Sequence, residues 1–314
     1  MYTLAHLSDP HVPPLARPAV GDLMSKRLLG YLSWQRHRKR IHRLDVLESL
    51  TDDLSAQRPD HVVVTGDLVN ISLPAEFETA LRWLDRLGPA DRVTVVPGNH
   101  DAYVRVPWAE TWRHWRDYMS SEDGNGPARV PEDFADFPLV RRRGPLAIVG
   151  TSSAVPSPPG MATGQLGPQQ LDRLEKQLHA LEREGCFRVI LVHHPPLGEG
   201  TGHRKRLTDS AALHAVLARA GAELILHGHD HIFSNGEIEG AGGPVPVFGV
   251  PSASALAHGS KPAAHYYLFE LERAPEGWRL TVRTRGYQPS SGKFGPGTER
   301  HLLVVREHAA SMDA

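Results

Sequence analysis

The sequence predicts an α/β fold with mixed sheets flanked by helices, and three observations carry that reading. Short β-branched runs such as Val62-Val63-Val64 and Val189-Ile190-Leu191-Val192 alternate with segments of helical periodicity, an order that makes a sheet at least partly parallel. Helix signals vanish beyond about residue 240, so the C-terminal part, 240–306, reads as mostly antiparallel β. Five apolar runs also end in metal-ligand residue types, where open α/β sheets keep their sites.

Residues 2–8 read as the first strand, left through Asp9-Pro10-His11, and side chains two apart on an extended segment point to one side. Residues 13–45 read as an insertion or cap segment. Pro13, Pro14 and Pro18 open it, Leu28, Leu29, Tyr31, Leu32 and Trp34 follow, and Arg36-His37-Arg38-Lys39-Arg40 is a basic run with His42 and Arg43 beyond it. Either its apolar side packs on the body with charges in water, or it caps the site. As a cap, its cations would hold an anionic substrate or bring 28–43 to a membrane surface.

Ile41, Leu44, Leu47, Leu50 and Leu54 mark a helix that Arg58-Pro59 ends, and strand 61–65 then delivers Gly66-Asp67. Helix 74–87 opens on Pro74, and the next strand ends in Val95-Val96-Pro97-Gly98-Asn99-His100-Asp101. A helix is expected around Trp108–Met119 with its tryptophans packed inward, followed by a long loop containing Gly124-Asn125-Gly126-Pro127. A strand at Leu146–Gly150, helix 168–184 and strand 187–192 lead to His193-His194. Helix 209–220 and strand 223–227 lead to Gly228-His229-Asp230-His231. Between them, His203-Arg204-Lys205-Arg206 reads as a solvated run at a position suited to phosphate contact. Val245–Val250, His265–Leu271, Trp278–Arg285 and Leu302–Arg306 complete the strands. With no repeat or linker, one domain over 1–306 and a tail at 307–314 are expected.

With 314 residues, 40% hydrophobic and 23% charged, the chain can bury a substantial core. Its net charge of −1 leaves no basic footprint for a nucleic-acid polymer. Cys186 stands alone, so no intrachain disulfide forms, and the first strand starts almost at Met1 without a leader pattern, which points to the cytoplasm. No apolar run approaches the ~18 to 20 residues that cross a bilayer.

Asp9, His11, Asp67, Asn99, His193, His229 and His231 together offer two carboxylates, one amide and four imidazoles. That set suits two first-row divalent ions sharing a carboxylate, and the absence of thiolates excludes a soft-ion site. Taken in order, D-x-H, G-D, G-N-H-D, H and G-H-x-H resemble the signature blocks of the calcineurin-like metallophosphoesterases over residues 1–231. The pattern is most similar to the bacterial cyclic-nucleotide and glycerophosphodiester phosphodiesterase branch. The resemblance implies a four-layer αββα sandwich of two mixed sheets. It puts Asp9, His11 and His231 on one metal, Asn99, His193 and His229 on the other, and Asp67 between them, with His193 chosen over its neighbour His194.

His100 and Asp101 are then the catalytic candidates, a protonated His100 approaching the phosphoryl oxygens or leaving group and Asp101 orienting its imidazole. The implied reaction is in-line attack on a small phosphodiester by a hydroxide shared by two ions, of manganese, iron, zinc or cobalt. A lipid-linked phosphoester or pyrophosphate at a membrane surface is the alternative, although relatives that split UDP-diacylglucosamine usually carry arginine where this chain has His100. A metal-poor binding scaffold is the alternative of another class, and the retained ligand set counts against it. Loop 242–262 could line the site rim or a homodimer seam.

Overall fold

The computed structural model describes residues 1–122, 128–198 and 202–305. The expected Gly124–Pro127 turn and the 307–314 tail lie outside the described residues. Among the described residues twelve strands form two six-stranded sheets. In the first, β1 (Tyr2–Leu7) lies between β2 (His61–Val64) and β10 (His265–Ala274). β3 (Val93–Val95) flanks β2, while β11 (Gly277–Gln288) and β12 (Lys293–Val305) extend from β10. The second has the order β4 (Leu139–Arg143), β5 (Leu146–Gly150), β6 (Phe187–Leu191), β7 (Leu224–His227), β9 (Gly243–Gly249) and β8 (Ser234–Gly240). Pairs β1/β2, β2/β3, β5/β6, β6/β7 and β7/β9 are parallel and the rest antiparallel.

Period-two alternation explains the layering. Val63 faces the other sheet with Leu4, Ile148, Val189 and Leu226, whereas Val62 and Val64 face Leu47, Leu50, Phe77 and Leu84 on helices Leu44–Gln57 and Pro74–Leu87. On the far side, Val149, Ile190 and Ile225 meet Leu174, Leu178, Leu213 and Leu217 on helices Pro168–Arg183 and Ser210–Ala220. Four layers result: helices, sheet, sheet, helices. The parallel strands β1, β2, β3, β6 and β7 therefore point their C-terminal ends to one edge.

Local departures have physical causes. Residues Trp108–Glu110 and Trp112–Met119 form 3-10 turns instead of an α-helix, because Trp112, Trp115 and Tyr118 recur at intervals of three and all are buried. The long helix starts at Leu44, since Arg43 is extended. Strands β4 and β8 escaped sequence reading and β12 runs far beyond its apolar end. All three are edge strands, where charged residues, Gly and Pro296 are tolerated.

Candidate metal centre

The polar groups at the strand ends meet because the loops are stitched backbone to backbone. Asp9 N donates to Gly66 O at 3.0 Å, His11 N to Asp67 O at 3.0 Å and Gly228 N to His193 O at 3.1 Å. A Cβ on Gly66 would lie 2.6 Å from Gly98 N and 2.7 Å from His193 Nδ1, so the signature glycines are dictated by this close approach. Five of the seven expected donors, Asp9, His11, Asp67, His229 and His231, have positive φ, between 39° and 74°. Such left-handed backbone is uncommon outside glycine and collects at functional sites.

All seven expected donors come together. His231 Nε2 is 3.1 Å from Asp9 Oδ1 and 3.3 Å from His11 Nε2. Beside them, His193 Nε2 is 3.1 Å from Asn99 Oδ1, and His229 completes a second group with Asp67 and His193. Asp67 belongs to both groups: its Oδ2 is 3.9 Å from His11 Nε2 and 3.4 Å from His193 Nε2.

The donor chemistry fits divalent cations. His11 Nδ1 donates to Val69 O at 3.1 Å and His193 Nδ1 to Thr65 O at 2.6 Å, the backbone contacts that fix a metal-binding tautomer and turn Nε2 inward. Among the described residues the buried His229 Nε2 has no hydrogen-bond partner. Burial opposes ionisation of Asp9, but His231 outweighs it and holds the carboxyl well below its usual range. Burial likewise opposes protonation of His193, yet Asp67 raises it to about 9. Burial, then the Arg38 charge, holds His11 well below the usual imidazole range, and burial with His194 does the same to His229. Buried carboxylates in such an array demand positive charge, which a divalent cation supplies in place of protons.

The contact expected between Asp101 and the His100 imidazole needs correction. Asp101 does not touch the imidazole: Oδ2 accepts from the amides of Gly98 (2.8 Å) and Asp67 (2.9 Å), and Oδ1 from Val69 (3.0 Å). It shapes both signature loops. Burial, together with the Asp67 charge, pushes its carboxyl up to about 8 against those donors. His100 is oriented instead by Asn70, whose carbonyl accepts from Nδ1 at 2.5 Å. Burial and the Arg38 charge bring His100 down to about 3, with Asp67 acting the other way. The Arg38 Nη1 sits 3.3 Å from both ring nitrogens of His100.

The sequence names Arg38 and His42 only within a basic segment whose cations, as a cap, would hold an anionic substrate, and it does not single them out. Trp34, Arg38 and His42 are spaced four apart across Trp34–Arg38 and Lys39–Ile41, and that i, i+4 stripe was the available signal. The buried His42 stacks on Trp34, hydrogen-bonds Ser254 Oγ at 2.9 Å and meets His11 edge-on at 4.6 Å. The cap's leucines do not pack inward: Leu28, Leu29 and Leu32 are 42%, 53% and 37% exposed. Of the expected loop 242–262, Gly243–Gly249 is strand β9, and the segment after it reaches the site, Ser252 Oγ donating to Asp9 O at 2.7 Å. His194 is buried against Ser153 Oγ at 2.7 Å.

This geometry has counterparts among known proteins. The chain is 28% identical over 252 residues to a cAMP/cGMP dual specificity phosphodiesterase of Mycobacterium tuberculosis, covering 78% of this chain and 66% of that relative. It is 28% identical over 216 residues to a glycerophosphodiester phosphodiesterase of Enterobacter lignolyticus, covering 65% of this chain and 70% of the relative. A dimetal phosphatase from Danio rerio shares the fold with a TM-score of 0.61 at 14% identity, covering 98% of this chain and 99% of that one. A purple acid phosphatase from yellow lupin gives 0.56 at 11% identity, covering 96% of this chain and 53% of the other. The family model for calcineurin-like phosphoesterase matches residues 2–233, a stretch that includes every donor in the centre, and the chain belongs to that family.

Proposed function

We propose that the chain is a dinuclear-metal phosphodiesterase acting on a small phosphodiester, such as a cyclic nucleotide or glycerophosphodiester. The observation that carries this reading is the position of Asp67, shared by two donor groups. Asp9, His11 and His231 would hold one divalent cation, Asn99, His193 and His229 the other, and Asp67 both. When bound, the pair supplies an activated water and neutralises charge on the phosphoryl oxygens. The chain's own groups do the rest. Arg38 fixes a positive charge at the pocket wall beside His100, Asn70 sets the imidazole's orientation, and Asp101 positions the loops through their amides. We read 1–306 as one unit, supported by β10 pairing with β1. The activities of the two bacterial relatives support a diester substrate.

The test is hydrolysis of bis(p-nitrophenyl) phosphate and p-nitrophenyl phosphate by metal-reconstituted wild type, Asn99→Ala and His100→Ala. Diester turnover that collapses in both variants is expected. Strong monoester preference would overturn the substrate class and leave the centre standing.

A second reading, a lipid-linked phosphoester at a membrane surface, is favoured by the exposed Leu28, Leu29 and Leu32 beside the exposed Arg36, Lys39 and Arg40. Arg38 also brings a guanidinium to the place where His100 replaces arginine. No described helix is long and apolar enough to cross a membrane. Turnover only in the presence of detergent or vesicles would select this reading.

A further inference from the structure

We propose that the substrate carries a second anionic group, a phosphate or carboxylate on its alcohol portion, held by Arg38, Lys205 and Lys261 beside the metal centre. This rests on the diesterase reading above. The three cations come from separate segments: the helical cap, the loop after β6, and the turn preceding β10. All three line one cavity of about 260 Å³ together with Asp67, Asn99 and His231.

Like charges brought together from distant segments repel, and Asp9 and Asp230 work against that repulsion. No carboxylate forms an ion pair with Arg38 or Lys261 among the described residues, and Lys205 stands 3.9 Å from Asp230. Burial lowers the Lys261 ammonium and Lys205 adds to the effect, Asp9 and Asp230 oppose it, and Arg38 contributes less, so the cations feel one another.

Other cap cations show what a structural role looks like here. Lys26 donates to Ser157 O, Ser157 Oγ and Met161 O, and Arg27 donates to the carbonyls of Ile71 and Ser72. Those two fasten the cap. Among the described residues Arg38 makes no such carbonyl contacts, and it lies against His100 at the cavity wall. Two dications against Asp9, Asp67 and a hydroxide already leave a positive sum, which one diester charge balances. Arg38 and Lys261 are then in excess, with Lys205 paired to Asp230 beside them, and a further anionic group answers them.

The test compares kcat/KM of the metal-reconstituted enzyme on glycerophosphoinositol and glycerophosphoinositol 4-phosphate, for wild type, Lys261→Met, Lys205→Met and Lys261→Arg. Calorimetry on the same proteins compares inositol 1-phosphate with inositol 1,4-bisphosphate. In wild type the extra phosphate is expected to raise kcat/KM about tenfold through KM, and affinity alike. That ratio falls toward one in Lys261→Met, falls partway in Lys205→Met and is kept by Lys261→Arg. Equal affinities in wild type, or a ratio unchanged in Lys261→Met, would overturn the proposal. If bis(p-nitrophenyl) phosphate is not hydrolysed, the diesterase reading fails separately. The calorimetric pair still decides the anion subsite.

Discussion

Arg38 reaches out of the cap to place Nη1 3.3 Å from both ring nitrogens of His100, so a residue outside the signature blocks touches the residue at their heart. A nitrogen equidistant from both ring nitrogens lies toward the ring and not along one lone pair. Arg38→Met should lower diester kcat/KM by about 10- to 100-fold, the range of a charge-assisted contact, with metal content unchanged. Arg38→Lys should recover little, since an ammonium lacks the planar fork. Unchanged kinetics in both would remove Arg38 from the substrate's path.

Asp67 lies between the two donor groups, and its loss should therefore be felt at both. Elemental analysis after reconstitution should give two metals per chain in wild type and fewer in Asp67→Asn. Chelation should abolish turnover and lower Tm, because an ion at about 100 times its Kd stabilises the native state by about 2.7 kcal/mol. Full stoichiometry in Asp67→Asn would contradict a shared ligand.

Asp101 accepts three backbone N–H groups, from Gly98, Asp67 and Val69. An amide in its place can serve one side only and presents its NH2 to a donor on the other. Asp101→Asn should cost about 1–3 kcal/mol in urea unfolding and impair turnover through loop geometry. A variant of wild-type stability would mean that those amides find other acceptors.

His61 gives a stability signature remote from the metal centre. It is buried on β2 with Nε2 2.7 Å from Thr94 Oγ1, and burial, reinforced by Arg141 and Arg143, brings it down to about 2. The unfolded imidazole takes a proton below about pH 6.5 and the native one does not, so stability falls as pH drops from about 6.5 toward the native value. Between pH 7.5 and pH 5 the loss attributable to His61 should be about 2 kcal/mol at most. Urea unfolding of His61→Gln should show a flatter acid limb over that interval. An identical slope in the variant would show that other groups govern it.

The sequence made the central strands and the donors legible for one reason. β-branched runs that stop at Gly-Asp, Gly-Asn-His or Gly-His mark both the end of a strand and the chemistry it delivers. Edge strands were hidden because β8 and β12 are held by backbone pairing, and their Gly-rich, charged faces carry no alternation of apolar residues. Asp101 was misjudged because adjacency in sequence suggested contact with His100, whereas its carboxylate turns back to amides of its own loop and of the Asp67 loop. Positive φ at Asp9, His11, Asp67, His229 and His231 leaves no mark in residue type, since nothing about an aspartate or histidine announces a left-handed backbone.

The position of β1 sets an order of events during synthesis. One edge of β1 finds its parallel partner β2 within the first 64 residues, while the other must wait for β10, which begins at His265. Every metal donor has been made by residue 231, yet the strand that leads to the first of them then still lacks a neighbour. A chain cut at 233 would carry the whole ligand set on a half-built sheet, its apolar β1 edge open to pairing with another chain. The last quarter, beyond residue 233, contributes none of the candidate donors, yet it supplies the strand that closes the β1 edge.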